Sequence, residues 1–219
     1  MKPHLGKRLE GTLLKALKIL KRLAKEKGLG PPSTFSEFHV AKAVETIGRN
    51  AVGRAKLSRE IGLGEGATRT LISRLTDADL ATSTKQGIQL TRNGLSILEE
   101  LKYSFPRATI VPRSSITVGP HNFGILVRNG RHKVNNGIEQ RDAAVRTGAI
   151  GAVTILFKDG RLYVPPMNEV AAKDWKETAQ RILDIFKPKQ SDAVVICGAE
   201  SIQKAEDGAR AAAWTLIDS

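Results

Sequence analysis

A chain of 219 residues, 41% of them hydrophobic, has room for one large domain or two small ones with buried cores. Its one cysteine, Cys197, excludes an internal disulfide and a thiolate metal cage, in keeping with a reducing compartment. No apolar run approaches the ~20 residues that cross a bilayer, so the chain reads as soluble and cytoplasmic with no membrane partner. Its formal charge of +13 points instead to a polyanion.

That charge is unevenly placed. Residues 1–34 carry nine Lys/Arg against two acids, 35–104 ten against eight, and 105–219 sixteen against twelve. The N-terminal arm supplies over half of the excess, so an argument for DNA has to rest on pattern in the middle segment. Along the arm, from Lys7 to Lys27, Leu9, Leu13, Leu14, Leu17, Leu20 and Leu23 recur at helical spacing between lysines and arginines. A charge every few residues distinguishes this stretch from the apolar centre of a signal peptide. Such a helix can pack its stripe on a neighbouring domain or second subunit, follow a DNA backbone, or lie on a membrane surface. Gly28, Gly30, Pro31 and Pro32 end it.

Thr34 and Glu37 are spaced as a capping box, opening a helix from about Phe35 to Thr46 that buries Phe38, Val40, Ala41 and Val44. Gly48 and Asn50 stop that helix. Leu57 and Ile61 then mark one face of a short helix, which Gly62 breaks, with Leu63 plugging the turn. A second helix begins near Glu65, with Thr68, Ile72 and Leu75 expected inward. Two short helices joined by a glycine-containing turn form a helix-turn-helix layout.

The second helix of that pair would turn Gly66, Ala67, Arg69, Thr70, Ser73 and Arg74 outward. Small residues at its front let it enter a major groove ~12 Å wide, where Arg69 can fork onto guanine and Thr70 and Ser73 can meet base edges or phosphates. Arg74 suits the DNA backbone, as do Arg54, Lys56 and Arg59 on the preceding helix. Glu65 suits the positive end of the helix dipole, with a cytosine amino group as the other option. A short strand at Leu80–Thr84, the turn Lys85-Gln86-Gly87 and a returning strand at 88–90 make a wing. Thr91 caps a last helix carrying Leu95, Ile97, Leu98 and Leu101.

The segments "LSREIGLGEGATRTLISRL" and "GIQLTRNG" resemble bacterial and archaeal winged-helix regulators over about 70 residues. The resemblance implies DNA binding by the Glu65–Asp77 helix, with Lys85 and Gln86 near a phosphate or the minor groove. With "NGIEQRDAA" and "VVICGAES…AAAWTLI", most of residues 35–219 resembles archaeal winged-helix proteins whose C-terminal domain has no assigned activity.

A second boundary falls near Ser104–Pro106. Beyond it, strands are expected at Thr109–Val118 and Phe123–Val127, and a helix at Ile138–Arg146. A hairpin at Gly151–Phe157 and Leu162–Val164 turns at Lys158-Asp159-Gly160. A helix from about Asp174 to Phe186 would bury Trp175, Ala179, Ile182 and Ile185; a buried strand at Ala193–Ile196 and a helix at about Gln203–Leu216 complete the chain. The expected fold class is therefore α+β: an N-terminal winged helix-turn-helix (35–104) after a basic arm and linker (1–34), and a C-terminal mixed α/β sandwich domain (105–219).

Polar groups cluster at the ends of these last elements. His121 and Asn122 join two strands, Asn136, Glu139 and Arg141 open a helix, and Gly198, Glu200 and Ser201 open another. Converging, Asn136, Arg141 and Ser201 would hold a small anionic metabolite at a helix N-terminus; singly, they are ordinary turn and cap residues. The sequence has no phosphate-binding glycine-lysine loop, dinucleotide glycine pattern or nucleophile elbow. His4, His39, His121 and His132 lack paired metal-ligand spacing, and Cys197 reads as a small core residue. No catalytic residue, metal or cofactor is expected, and the chain is not read as an enzyme. The reading is a cytoplasmic DNA-binding regulator, a homodimer on double-stranded DNA, whose C-terminal domain senses a metabolite or dimerises. A metabolic enzyme with a fused winged helix, or an RNA-binding protein, is the alternative.

Overall fold

The computed structural model describes residues 16–25, 34–165, 168–169 and 175–217. Leu9, Leu13 and Leu14 of the expected arm helix, its Gly28–Pro32 break and Asp174 lie outside the described residues. The chain divides into two compact units, 1–102 and 103–219. Among the described residues no helix is long and apolar enough to cross a membrane.

Among the described residues, the first element of the first unit is a helix over 16–24 (α1), whose Ala16, Leu17, Leu20, Leu23 and Ala24 are buried. The described part of the basic arm is thus folded structure with a covered apolar stripe. Helix α2 (Glu37–Arg49) buries Phe38, Val40, Ala41 and Val44. Its cap differs from the expected Thr34–Glu37 pair. The N-cap is Ser36, whose backbone N–H donates to His39 Nδ1 at 3.1 Å and whose hydroxyl lies 3.0 Å from the same nitrogen. Phe38 and His39 stack with ring centroids 4.1 Å apart, fixing the imidazole in place for this role.

Helix α3 (Arg54–Ile61) buries Leu57 and Ile61 and ends on Gly62, in the left-handed conformation at φ 75°. Ser58 Oγ donates to the Leu63 carbonyl at 2.6 Å, locking the turn, and helix α4 (Glu65–Asp77) follows. Its inward residues are Thr68, Leu71 and Leu75, all fully buried, whereas Ile72 is only half-buried. The expected Thr68–Ile72–Leu75 stripe is therefore corrected by one position: spacings of three and four both fit a 3.6-residue turn, and local sequence does not choose between adjacent apolar residues.

Strands β1 (Ala81–Thr84) and β2 (Gly87–Leu90) form an antiparallel hairpin, and Val52 adds a third strand position to it. Val52 N donates to the Ile88 carbonyl at 3.1 Å and Ile88 N donates to the Val52 carbonyl at 2.9 Å. Helix α5 (Arg92–Ser104) starts at Thr91, whose hydroxyl accepts from Gly94 N at 3.1 Å and donates to the Asp79 carbonyl at 2.6 Å.

The described strands of the second unit form a six-stranded sheet in the order β3-β4-β8-β5-β6-β7. Its strands are β3 (Arg107–Ile110), β4 (His121–Val127), β5 (Gly151–Lys158), β6 (Arg161–Val164), β7 (Asn168–Glu169) and β8 (Ala193–Ala199). Every described pairing is antiparallel, which corrects the expected mixed sheet. The reason is topological. β4 and β5, joined through helix α6 (Ile138–Arg146), run in the same direction, but β8 inserts between them and pairs antiparallel with both.

The expected Thr109–Val118 strand is also shorter. β3 ends at Ile110, and Pro112, which lacks a ladder donor, precedes a turn in which Thr117 and Ser114 bond reciprocally at 2.9 Å. Strand β8 is buried along its whole length. Ala193, Val195, Cys197 and Ala199 meet α6 and helix α8 (Ile202–Trp214), while Val194 and Ile196 face helix α7 (Lys176–Phe186) through Ile182 and Phe186. α8 is alanine-rich because it lies close to the sheet: a Cβ on Gly208 would come within 2.5 Å of Cys197 Sγ.

Candidate nucleic-acid interface

Helix α4 follows α3 after the three-residue turn Gly62-Leu63-Gly64, and its first turn is anchored on Gly64. The Gly64 carbonyl accepts from Thr68 N at 2.9 Å and from Thr68 Oγ1 at 3.0 Å, so the one polar residue on the buried face is satisfied within the helix. With Thr68, Leu71 and Leu75 inward, the 100° step per residue points Gly66, Arg69, Thr70 and Ser73 outward, and all four are exposed. Ala67 sits at the edge of that face, half-buried. Nothing lies within 4 Å of a Cβ built on Gly66, so the helix front is narrow and open.

Among the described residues Arg69 has no ion pair or hydrogen bond, leaving its five guanidinium donors for an external acceptor. Thr70 Oγ1 donates to the Gly66 carbonyl at 3.2 Å, which commits its proton to the helix and leaves its lone pairs to accept. Glu65 is exposed in the first turn, where the dipole favours a carboxylate.

Arg74 is corrected. Instead of facing a DNA backbone it turns inward, donating to the carbonyls of Leu23, Ala24 and Lys25 at 2.7, 3.4 and 2.9 Å. Its guanidinium also lies 5.0 Å from the centroid of the Phe35 ring. The carbonyls at the end of α1 outcompete solvent for a fork that reaches them from α4. The partner lies some 50 positions away in sequence, so no local pattern announces it.

On α3, Arg54 and Arg59 are exposed, and Lys56 makes a 3.8 Å pair with Glu60 at a largely open surface. Such a pair is worth little and yields readily to a phosphate. Lys56 and Glu60 also border a hollow of about 240 Å3, whose walls include Arg49, Asn50 and Thr46. Arg49 was not among the expected contact residues, because a cation in the last turn of a helix reads as a dipole partner. At the hairpin tip, Lys85 and Gln86 are exposed. Thr84 Oγ1 accepts from Gln86 N at 3.2 Å and donates to the Gly87 carbonyl at 2.9 Å, and Gln86 Oε1 accepts from Gln89 at 3.3 Å. Gly87, at φ 124°, lets the tip close over Val52, whose carbonyl carbon would lie 2.9 Å from a Cβ there.

The polar residues expected to hold a metabolite in the second unit fall into two groups. His121 and Asn122 pair with Ala199 and Gly198 at the end of β8, which leads into Glu200 and Ser201. Asn122 is buried and donates to the Gly119 carbonyl at 2.9 Å; Ser201 caps α8 by accepting from Lys204 N at 3.4 Å. Asn136 Oδ1 accepts from Ile138 N at 3.1 Å, Glu139 is exposed, and Arg141 pairs with Asp142 at 3.2 Å, all at the start of α6.

These groups do not converge, which corrects the single pocket of Asn136, Arg141 and Ser201. α6 and α8 run antiparallel. Gln140 in the first turn of α6 donates to Thr215 just past α8 at 2.7 Å, while Gly148 beyond α6 lies beside Lys204 in the first turn of α8. The two sets lie at opposite ends of α6, ~14 Å apart for its 9 residues. Cys197 is fully buried, and its Sγ donates to the Gly151 carbonyl at 3.2 Å. Burial pushes its thiol up to about 12, far from an activated thiolate. No group of three or more metal-ligating side chains occurs among the described residues.

Residues 43–96 match a family model described as "PH0730-like, N-terminal domain", and residues 118–216 match "Domain of unknown function (DUF4443)". Comparison with curated proteins gives no match. Among solved structures, the chain is similar to "Hypothetical protein PH0730 from Pyrococcus horikoshii OT3" at 28% identity, over 83% of this chain and 92% of that one, with a TM-score of 0.67. The chain is thus similar to the PH0730-like model in its N-terminal part and to the DUF4443 model in its C-terminal part, and shares an α+β fold with an archaeal protein.

Proposed function

We propose that this protein is a sequence-specific, DNA-binding transcription regulator whose first unit is a winged helix-turn-helix with α4 as the reading helix. Supporting this reading are the order helix, turn, helix, hairpin, helix, and the third strand position that Val52 adds to the hairpin. The observation that carries it is the outward face of α4. There an unpaired arginine, Arg69, stands among the small residues Gly66, Thr70 and Ser73 on a helix front with nothing built over it. A side-chain profile of that kind fits a major groove ~12 Å wide, where a guanidinium forks onto guanine O6 and N7. Arg54, Lys56 and Lys85 are the backbone contacts of this reading, and they position the helix without reading sequence.

A helix of 13 residues reads few base pairs, so the regulator acts as a homodimer on two half-sites ~34 Å apart. The second unit supplies the dimer contact: Ile138 and Val145, seven positions apart on α6, are 50% and 46% exposed on one helical face. In the test, Arg69→Ala is compared with wild type on a cognate and a random duplex. The expected loss is ~1–3 kcal/mol of discrimination at one base pair. Equal weakening on both duplexes would remove α4 from the reading role.

A further inference from the structure

The second unit gathers positive charge at one end of its sheet. Arg128 follows β4, Lys158 and Arg161 flank the β5–β6 turn, and Lys187 and Lys189 precede β8. Hydrogen bonds tie these segments together. Asn129 N donates to Asp192 Oδ1 at 3.1 Å, Arg131 N to the Ser191 carbonyl at 3.0 Å, and Asp159 N to Gln190 Oε1 at 3.0 Å. Segments 128–133, 158–161 and 187–192 hold seven Lys/Arg, of which Lys133 and Arg161 are engaged with other partners, against Asp159 and Asp192. Asp192 is buried and accepts backbone N–H groups, including Lys189 N at 2.9 Å, while Asp159 is an exposed partner of Lys158 at 3.9 Å.

At this pole Arg131, His132, Val134, Asn135, Leu156 and Pro165 line a hollow of about 220 Å3. Its chemistry is split. Arg131, His132 and Asn135 offer a guanidinium, an imidazole and an amide, and Val134, Leu156 and Pro165 offer an apolar wall. None of the six was expected to bind a ligand. We propose that this hollow binds a small organic phosphate. The phosphate meets Arg131 and His132, and the carbon skeleton lies on Val134, Leu156 and Pro165. The excess of cations favours a dianion over a single carboxylate, and guanidinium fork geometry matches phosphate oxygens. The volume is below the ~300–1,000 Å3 of drug-sized sites, which restricts the ligand to a compact metabolite. A nucleic-acid backbone would use the charge but has no need of the apolar wall.

The proposal stands independently of DNA reading by α4. Its test follows the histidine side-chain NMR signals of the full-length protein, which has four histidines, with His132→Gln giving the assignment. Inorganic phosphate and phenyl phosphate are titrated against sodium chloride at matched ionic strength. His132 should shift saturably with both phosphates and not with chloride, phenyl phosphate binding several-fold tighter, while His121 at the other end of the sheet stays unmoved. Arg131→Gln and Asn135→Asp, the latter an exposed-site change that adds a repelling charge without touching the core, should each weaken binding about tenfold or more. A shift reproduced by chloride, equal affinity for the two phosphates, saturation unchanged in both variants, or a response to duplex DNA alone would overturn it.

Discussion

The guanidinium of Arg74, on the sequence-predicted DNA face, donates at 2.7 Å to the carbonyl oxygen of Leu23, two residues before α1 gives way to a bend. With its bonds to Ala24 and Lys25, this side chain closes the end of one helix from the flank of another. Hydrogen bonds from a charged donor are worth ~1.5–3 kcal/mol each when a partner is lost, though several from one group do not add. Arg74→Ala is therefore expected to destabilise the first unit by about 2–3 kcal/mol in urea unfolding. Base discrimination at fixed folded fraction should be unchanged, setting it apart from Arg69→Ala.

Two glycines of the first unit respond oppositely to the same change. A Cβ at Gly66 meets nothing within 4 Å, and the position is helical, so Gly66→Ala should stabilise by up to ~1 kcal/mol. A Cβ at Gly94 would lie 2.0 Å from the Leu80 carbonyl oxygen, a backbone atom that cannot swing away. Gly94→Ala should cost ~1–3 kcal/mol or more, because α5 must lift off the start of β1. Thermal unfolding of the two variants side by side checks both signs.

The buried thiol of Cys197 sets a pH dependence. In the folded protein it stays protonated until about pH 12, whereas in the unfolded chain it ionises near its ordinary value of 9.0. The unfolded state then binds fewer protons, so this contribution to stability is fully present below pH 9.0 and falls as pH rises toward about 12. Its slope is ~1.4 kcal/mol per pH unit. Cys197→Ala should remove that part of the alkaline slope, and a thiol reagent at pH 8 should label wild type only on unfolding.

Contacts that depend on local spacing were legible in the sequence. The αL glycine after Ile61, the turn at Asp159-Gly160 and the inward residues of α2 all follow from a few neighbouring residues. What escaped was set by partners far along the chain. Val52 joins Ile88 as a single bridge with no period of its own, Arg74 finds carbonyls some 50 positions away, and β8 separates two strands that would otherwise look parallel-paired. The metabolite cluster failed for the same reason: each of its turns was visible, but the antiparallel run of α6 and α8 that parts them was not. The hollow at Arg131 gave only a weak signal, a run of cations between a strand and a helix that resembles any solvated loop.

Lys85 at the hairpin tip separates positioning from reading. Lys85→Ala should weaken all duplexes alike and reduce the slope of log affinity against log salt by ~0.9, the value for one phosphate contact. The preferred site should not change, which a salt titration on two duplexes would register.

The central claim is that the α4 face around Arg69 reads bases, and selection from random duplex DNA at physiological salt by the full-length protein tests it most directly. The expected result is enrichment of one short motif with two-fold related halves about one helical turn apart, with preference at a single position of each half lost in Arg69→Ala. A pool that stays random after selection, or an identical motif recovered with Arg69→Ala, would contradict it.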